Sequence, residues 1–264
     1  MAEQRTIVIT GATDGLGKGL AAELAPTGAR LILHGRNQEK GEALLDELRP
    51  KATGELEWRL ADFASLDDVR YLADSLLDEQ KIDALVNNAG IGTSGPREES
   101  EDGYELTFQV DYLAPFLLTR RLLPLLRSSS PSRIVNVSSA GQTPIDFDDV
   151  MLERHYDGSR AYAQSKLAQV MHTFDLAERL DAVTANALHP ATYMPTKIVI
   201  HARGSAVSTL EEGTHATERL VVADELVGVS GRYFNGVQEA RANAQAYDPD
   251  ARRALRELSL RLTD

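Results

Sequence analysis

The sequence contains no cysteine. That excludes a disulfide framework, thiolate zinc sites, iron–sulfur clusters and a cysteine nucleophile. Positive charge is scarce: 28 Lys and Arg stand against 40 Asp and Glu, a net charge of −12. Nucleic acid is therefore not expected as a partner, because binding a phosphate backbone needs a basic stripe. A phosphate-bearing cofactor remains open, since it needs only local donors. Long apolar runs are missing too. None reaches the roughly eighteen residues of a membrane span, and the opening Met1-Ala2-Glu3-Gln4-Arg5 leads into only a short apolar stretch, unlike a signal peptide. A soluble, cytoplasmic protein with no membrane partner is expected. His34, His155, His172, His189, His201 and His215 show no ligand spacing, so no metal site is expected. No internal repeat or low-complexity linker interrupts the 264 residues, which points to a single domain over 1–264.

What is present is an alternation of strand and helix patterns. Thr6 to Thr10 is a β-branched run ending at Gly11, read as a strand buried on both faces. Leu16, Leu20 and Leu24 then fall four apart on one helix face, which Pro26 to Gly28 ends. Further strands are expected at Leu31–Leu33, Leu56–Leu60, Ala84–Val86, Ile134–Val137 and Val183–Leu188, with the Arg232-Tyr233-Phe234 segment last. Helices are expected over 38–49, around Leu66–Leu76, from Gly103 to Arg127 and over 159–180. This order gives an α/β fold: a Rossmann-type, doubly wound parallel sheet of seven strands in one domain. The polar stretch around 196–217 (191–217 with the turn before it) reads either as a substrate lid or as a surface insertion.

In such sheets ligands bind beyond the carboxyl ends of the strands. After the first strand comes Thr10-Gly11-Ala12-Thr13-Asp14-Gly15-Leu16-Gly17, a glycine-rich turn opening a helix. It is either an ordinary tight turn or a cradle where backbone N–H groups and the helix dipole meet a pyrophosphate. After the second comes His34-Gly35-Arg36, with no acid at the position that usually holds a ribose 2′-hydroxyl. Arg36 is either a solvated surface residue or a 2′-phosphate ligand, and the missing acid favours NADP. Asp62 reads as an adenine contact, as the N-cap of the helix holding Leu66, or as both. Later come Asn88-Ala89-Gly90, the pair Ser138-Ser139, and Tyr162 with Lys166 four residues on. At that spacing Tyr and Lys share a helix face, and an ammonium beside a phenol favours the phenolate. Asn136-Val137-Ser138 matches a glycosylation sequon but falls in an expected buried strand.

This succession, TGxxxGxG, NNAG, a strand-ending Ser pair and YxxxK, resembles the short-chain dehydrogenase/reductase family over nearly the whole chain. Phe108-Gln109-Val110-Asp111, Phe116-Leu117-Leu118-Thr119, the long Ser139-to-Tyr162 spacing, His189-Pro190 and Val229 to Phe234 make it similar to the retinol-dehydrogenase-like branch. The resemblance implies hydride chemistry between a carbonyl and an alcohol. Tyr162 would be the acid/base, Lys166 its activator and ribose ligand, and Ser139 the holder of the substrate oxygen. Cofactor contacts would fall on Gly11, Thr13, Asp14, Gly15, Leu16 and Gly17, on Arg36, Asp62 and Phe63, and on Asn88, Ala89 and Gly90. Tyr162, Lys166, Pro190, Ala191 and Thr192 complete that set. Two positions depart from the family. Ala191 stands where Gly usually follows the Pro, and Asp111 stands where the fourth catalytic residue, which anchors a relay water, is usually Asn. Pro115 has no N–H for the Asp111 carbonyl, which leaves that carbonyl able to hold a water.

The expected function is NADP(H)-dependent interconversion of a ketone or aldehyde and an alcohol on a small, moderately apolar molecule. The alternative is an NADP-binding sensor or scaffold with little turnover, which only Asp111 favours. The resemblance also implies a homo-oligomer, dimer or tetramer, paired through the helices of Asp111 and Tyr162.

Overall fold

The computed structural model describes residues 4–92, 95–195 and 205–264. In chain order the elements are β1 (Thr6–Ile9), α1 (Gly15–Leu24), β2 (Arg30–Gly35), α2 (Gln38–Leu48), β3 (Leu56–Leu60), α3 (Leu66–Leu77) and β4 (Ala84–Asn87). A helical turn at Leu106–Phe108 passes through a π-helical turn at Gln109–Leu113 into α4 (Ala114–Ser128). Then follow β5 (Ser132–Val137), α5 (Gly158–Arg179), β6 (Val183–His189), α6 (Leu210–Val222), β7 (Arg232–Asn235), β8 (Gln238–Glu239) and α7 (Pro249–Thr263).

The strands form one sheet in the order β3-β2-β1-β4-β5-β6-β7-β8. The first seven are parallel, as expected. The short β8 adds an antiparallel edge to β7, with Phe234 opposite Glu239. Alternate residues of each strand serve opposite faces. Ile7, Ile9, Leu31 and Leu33 pack with Leu20 and Leu24 of α1, while Val8, Ile32 and Leu85 pack with Val69 and Leu72 of α3 and Leu118 of α4. Each such fully buried side chain contributes about 1.5–3 kcal/mol. The order reverses between β1 and β4, which pair at Val8 and Leu85. A crevice therefore opens beyond their carboxyl ends.

The sequence pattern and the structure differ at several places. Residues 210–217, read as irregular, lie in α6, whose start carries a reciprocal capping box between Thr209 and Glu212. Its buried face is largely small (Gly213, Thr214, Ala216, Thr217), which conceals the apolar period. The remaining 196–204 part of the expected lid lies outside the described residues. The long helical pattern from Gly103 is broken at the π turn, where the Ala114 N–H bonds the Gln109 carbonyl five residues back. Pro115 then withholds a donor from Asp111. Strand β3 is an edge, and Leu60 is 55% exposed rather than turned into the core. Helix α3 is capped by Ser65, whose Oγ accepts from Asp68 N, and not by Asp62.

Helix α7 has no counterpart in the sequence reading. It lies across α5 and the π turn, with Leu255 in the same core cluster as Tyr112, Phe116, Met171 and Phe174. Tyr112 Oη and Ser259 Oγ are 2.8 Å apart, Tyr104 Oη donates to the Leu262 carbonyl (3.1 Å), and Arg256 pairs with Asp175 at 2.5 Å. On the two helices named for an oligomer contact, the sides carrying Tyr112, Phe116, Met171 and Phe174 are thus covered within one chain.

Candidate active site

The glycine turn and the segment after β4 are interlocked. The Thr10 N–H bonds the Val86 carbonyl, and Thr10 Oγ1 accepts from the N–H groups of Asn88 and Ala89, both at 3.0 Å. The Asn88 amide donates to the Thr10 and Gly11 carbonyls at 2.8 and 3.0 Å. Its side chain therefore braces the turn. Gly11 has φ +67°, and a Cβ there would come within 2.7 Å of Ala89 Cα. A Cβ on Gly17 would collide with the Gly11 carbonyl. Only glycine fits both places. Asp14 caps α1 by accepting from Gly15 N (2.8 Å). The next N–H groups of this first turn have no carbonyl partner inside the helix, which suits an anion.

At the end of β2, Gly35 makes room for the Trp58 ring. Arg36 follows with its side chain 65% exposed, and its guanidinium lies 4.0 Å from Asp62 Oδ2. Asp62 turns its Oδ1 to Ala64 N (3.0 Å). The Arg36–Asp62 contact is loose and solvent-facing, so the guanidinium can turn to a phosphate. Phe63 is different: its ring is buried and stacked on His34, centroids 4.5 Å apart. That ring is core, leaving only backbone for a ligand. Burial pushes His34 down to about 4, so the ring is neutral.

Ser138 and Ser139 end β5 and diverge. Ser138 is buried, and its Oγ donates to the Lys166 carbonyl (2.6 Å), pinning α5 to the sheet. Ser139 is half-buried. Its carbonyl accepts from Tyr233 Oη (2.9 Å) and from Gln142 Nε2 (2.7 Å), and Gln142 Oε1 accepts from Asn243 N (2.9 Å). These three residues were not found from sequence. The only signal was that Tyr233 lies in the strand next to β6; the bond itself spans the chain. Burial pushes the Tyr233 phenol up to about 12, keeping it a donor.

Tyr162 and Lys166 lie one turn apart on α5, and Nζ sits 5.4 Å from the Tyr162 ring centroid. Nζ also sits 3.1 Å from Asp111 Oδ2, an ion-pair contact rather than an aligned hydrogen bond. Asp111 Oδ1 accepts from Ile91 N at 2.7 Å. Burial alone would lower the ammonium, but Asp111 and Tyr162 outweigh it and hold Lys166 above its ordinary value. Burial pushes the Asp111 carboxyl up, against the pull of Lys166. A Cβ on Gly90 would sit 3.1 Å from Nζ, so that glycine leaves the pair its room. Beneath it, Asn87 donates to Asn136 and Thr119, and Asn136 donates to Thr173, a buried network tying β4, β5, α4 and α5 together. Asn136 of the sequon is 1% exposed.

Beyond β6, His189 Nε2 lies 3.1 Å from Thr192 Oγ1, and the His189 carbonyl accepts from Gly236 N. Pro190, Ala191 and Thr192 therefore lie at the same sheet end as Ser139 and the glycine turn. Among the described residues no group of His, Asp or Glu could hold a metal, and no helix is long and apolar enough to cross a membrane.

Comparison with known proteins agrees with this fold. A family model described as short chain dehydrogenase matches residues 5–204. Human retinol dehydrogenase 13 is 38% identical over 279 residues, covering 98% of this chain and 84% of that protein. Human retinol dehydrogenase 14 is also 38% identical, over 97% of this chain and 85% of that protein. Among solved structures, a Shigella flexneri short chain dehydrogenase complexed with NADP superposes with a TM-score of 0.73 at 25% identity, over 88% of this chain and 97% of that one. An Escherichia coli short chain dehydrogenase complexed with NADPH gives a TM-score of 0.73 at 26% identity, over 88% of this chain and 96% of that one. With the family model spanning most of its length and relatives matching nearly all of it, the chain belongs to the short chain dehydrogenase family, in its retinol-dehydrogenase-like branch, as an oxidoreductase of alcohols and carbonyls.

Proposed function

We propose that the protein interconverts a ketone or aldehyde with its alcohol on a small, moderately apolar molecule, using NADP(H). The observation that carries this reading is the placing of Tyr162 and Lys166 on one face of α5, at the sheet end that also holds Ser139 and the glycine turn. When bound, the nicotinamide cofactor supplies or takes up the hydride. The residues of the chain handle the oxygen and its proton. Ser139 Oγ holds the substrate oxygen, and its backbone is fixed by Tyr233 and Gln142. Tyr162 gives its phenolic proton to that oxygen during reduction and recovers it during oxidation. The Lys166 ammonium stabilises the phenolate that reduction leaves behind.

Arg36 supports NADP over NAD. It is an exposed guanidinium directly after β2, and no acid stands in His34-Gly35-Arg36-Asn37. Two similar structures are described with NADP and NADPH bound. The residues fit the dinucleotide: Gly11, Gly15 and Gly17 keep side chains out of the turn, and α1 offers its N-terminus. Thr13, Asp14 and Leu16 of the same turn, Asp62, Ala89 and the Pro190-Ala191-Thr192 stretch are the remaining proposed contacts.

One observation favours a second reading. Asp111 engages Lys166 directly and draws on the charge that Tyr162 needs. A sensor that binds NADP with little turnover would tolerate this. A panel of aldehydes and ketones assayed with NADPH and NADH separates the two, with Tyr162→Phe as control. The enzyme reading expects NADPH consumption that falls by about two orders of magnitude in the variant while cofactor affinity is kept. Tight NADPH binding with no consumption, or undiminished turnover in Tyr162→Phe, removes it.

A further inference from the structure

A cavity of about 260 Å³ is lined in part by Gln142 and Tyr233, the two side chains that bond the Ser139 carbonyl. Ala140 and Gln142 of the segment after β5, Tyr233 and Asn235 of β7, and a wall of residues 240–243 line it. The polar residues among them are two asparagines, a glutamine, a tyrosine and Arg241. No carboxylate lines it among the described residues.

Arg241 is exposed and makes no ion pair with any described carboxylate. It lies 5.4 Å over the Tyr247 ring, which orients the planar group without using its N–H donors. Arg241 also borders a second, more open hollow of about 480 Å³ with Glu239, Ala240 and Tyr247. Glu239 is the nearest acid there, and it is tied to Arg232 at 3.0 Å. The wall itself is anchored. Asn243 N bonds Gln142 Oε1, and Gln245 pairs both ways with the Ile145 backbone, at 2.7 and 3.0 Å.

Resting on the reading that Ser139 holds the reacting oxygen, we infer that the substrate carries an anionic group, such as a carboxylate, remote from its carbonyl, and that Arg241 receives it. A planar carboxylate matches the fork of a guanidinium through two parallel hydrogen bonds. Asn243 and Gln142, already bonded to each other, hold the wall in place beside it. The apolar part of the molecule then spans from Arg241 to Ser139 along Ala140 and Ala240. Arg241 is thus a specificity residue, separate from the proton-transferring group.

The test compares 4-carboxybenzaldehyde with its neutral methyl ester, methyl 4-formylbenzoate, in the full-length protein with NADPH. The wild type should favour the acid in kcat/KM. In Arg241→Gln the acid-over-ester ratio should fall about tenfold or more, the loss of one charge-assisted contact. Arg241→Lys should restore part of it. A second readout is calorimetric binding of 4-carboxybenzaldehyde to the NADP-loaded protein, which should weaken by a similar factor in Arg241→Gln. An unchanged ratio with unchanged binding overturns the role of Arg241. Absence of turnover for both aldehydes counts against the oxidoreductase reading, while the binding comparison still decides whether Arg241 receives the anion.

Discussion

Asp111 and Lys166 form a buried ion pair, Oδ2 to Nζ 3.1 Å, with side chains 0% and 5% exposed. The carboxylate faces the same ammonium that stabilises the phenolate in the proposed reaction. Two unit charges about 7 Å apart interact with roughly 2 kcal/mol at an effective dielectric near 20, on the order of one pH unit after attenuation by water. Asp111→Asn removes a negative charge, so deprotonation of the site becomes easier. The rising limb of the oxidation profile should move toward neutral pH by about one unit, with reduction at neutral pH unchanged or faster. Steady-state pH profiles in both directions check this. A large loss of activity would place the carboxylate itself in the proton path.

Among the described residues Arg36 pairs only with Asp62, at 4.0 Å and in solvent. Arg36→Ala should therefore cost little stability. It should weaken NADPH by about ten- to hundredfold, the worth of a charge-assisted contact to a phosphate, and leave NADH nearly untouched. Titration of each cofactor by fluorescence provides the comparison. Equal losses for the two would mean that Arg36 reads no 2′-phosphate.

His34 and His172 are both pushed down to about 4 by burial. Folded, they stay neutral; unfolded, they take up protons below about 6.5. The unfolded state thus binds more protons as pH falls. Stability should drop between about pH 6.5 and 4 and level off, as far as these two groups are concerned, below that. Each contributes up to about 3 kcal/mol to this slope. His172 sits against the Phe116 and Tyr112 rings, centroids 4.9 and 6.3 Å away. His172→Phe keeps an aromatic group there and should flatten the acid slope. Denaturant midpoints from pH 7 to 4 in both proteins test it, and parallel slopes would show that His172 is protonated in the fold.

Helix α7 buries Tyr112, Phe116 and Met171 without a second chain. Pairing through those helix faces would require α7 to leave and would break the Ser259–Tyr112 and Arg256–Asp175 contacts. Light scattering at micromolar concentration should give the mass of one chain. A stable dimer crosslinked through α4 or α5 would show instead that α7 is displaced.

The order of strands and helices was legible in the sequence because burial on two faces imposes short apolar strand runs between helix periods. The chemistry-bearing residues were legible for a related reason. A turn without a Cβ needs Gly11 and Gly17, and one helix face needs Tyr162 and Lys166 four apart. These requirements act over a few residues, so they leave a local mark. What the tertiary structure decided are contacts between distant segments. Helix α6 was hidden because it packs through small residues, with Thr214 close against Gly19 of α1. The hold of Tyr233 on the Ser139 carbonyl, the bond from Asn243 to Gln142 in the wall carrying Arg241, and the closing of α7 over Tyr112 all join parts of the chain that no local period relates. The meaning of Asp111 divides the same way. The sequence shows a carboxylate where an amide is usual, but whether it faces Lys166 depends on the π turn and α5 meeting across the fold, and there burial leaves each charge dependent on the other.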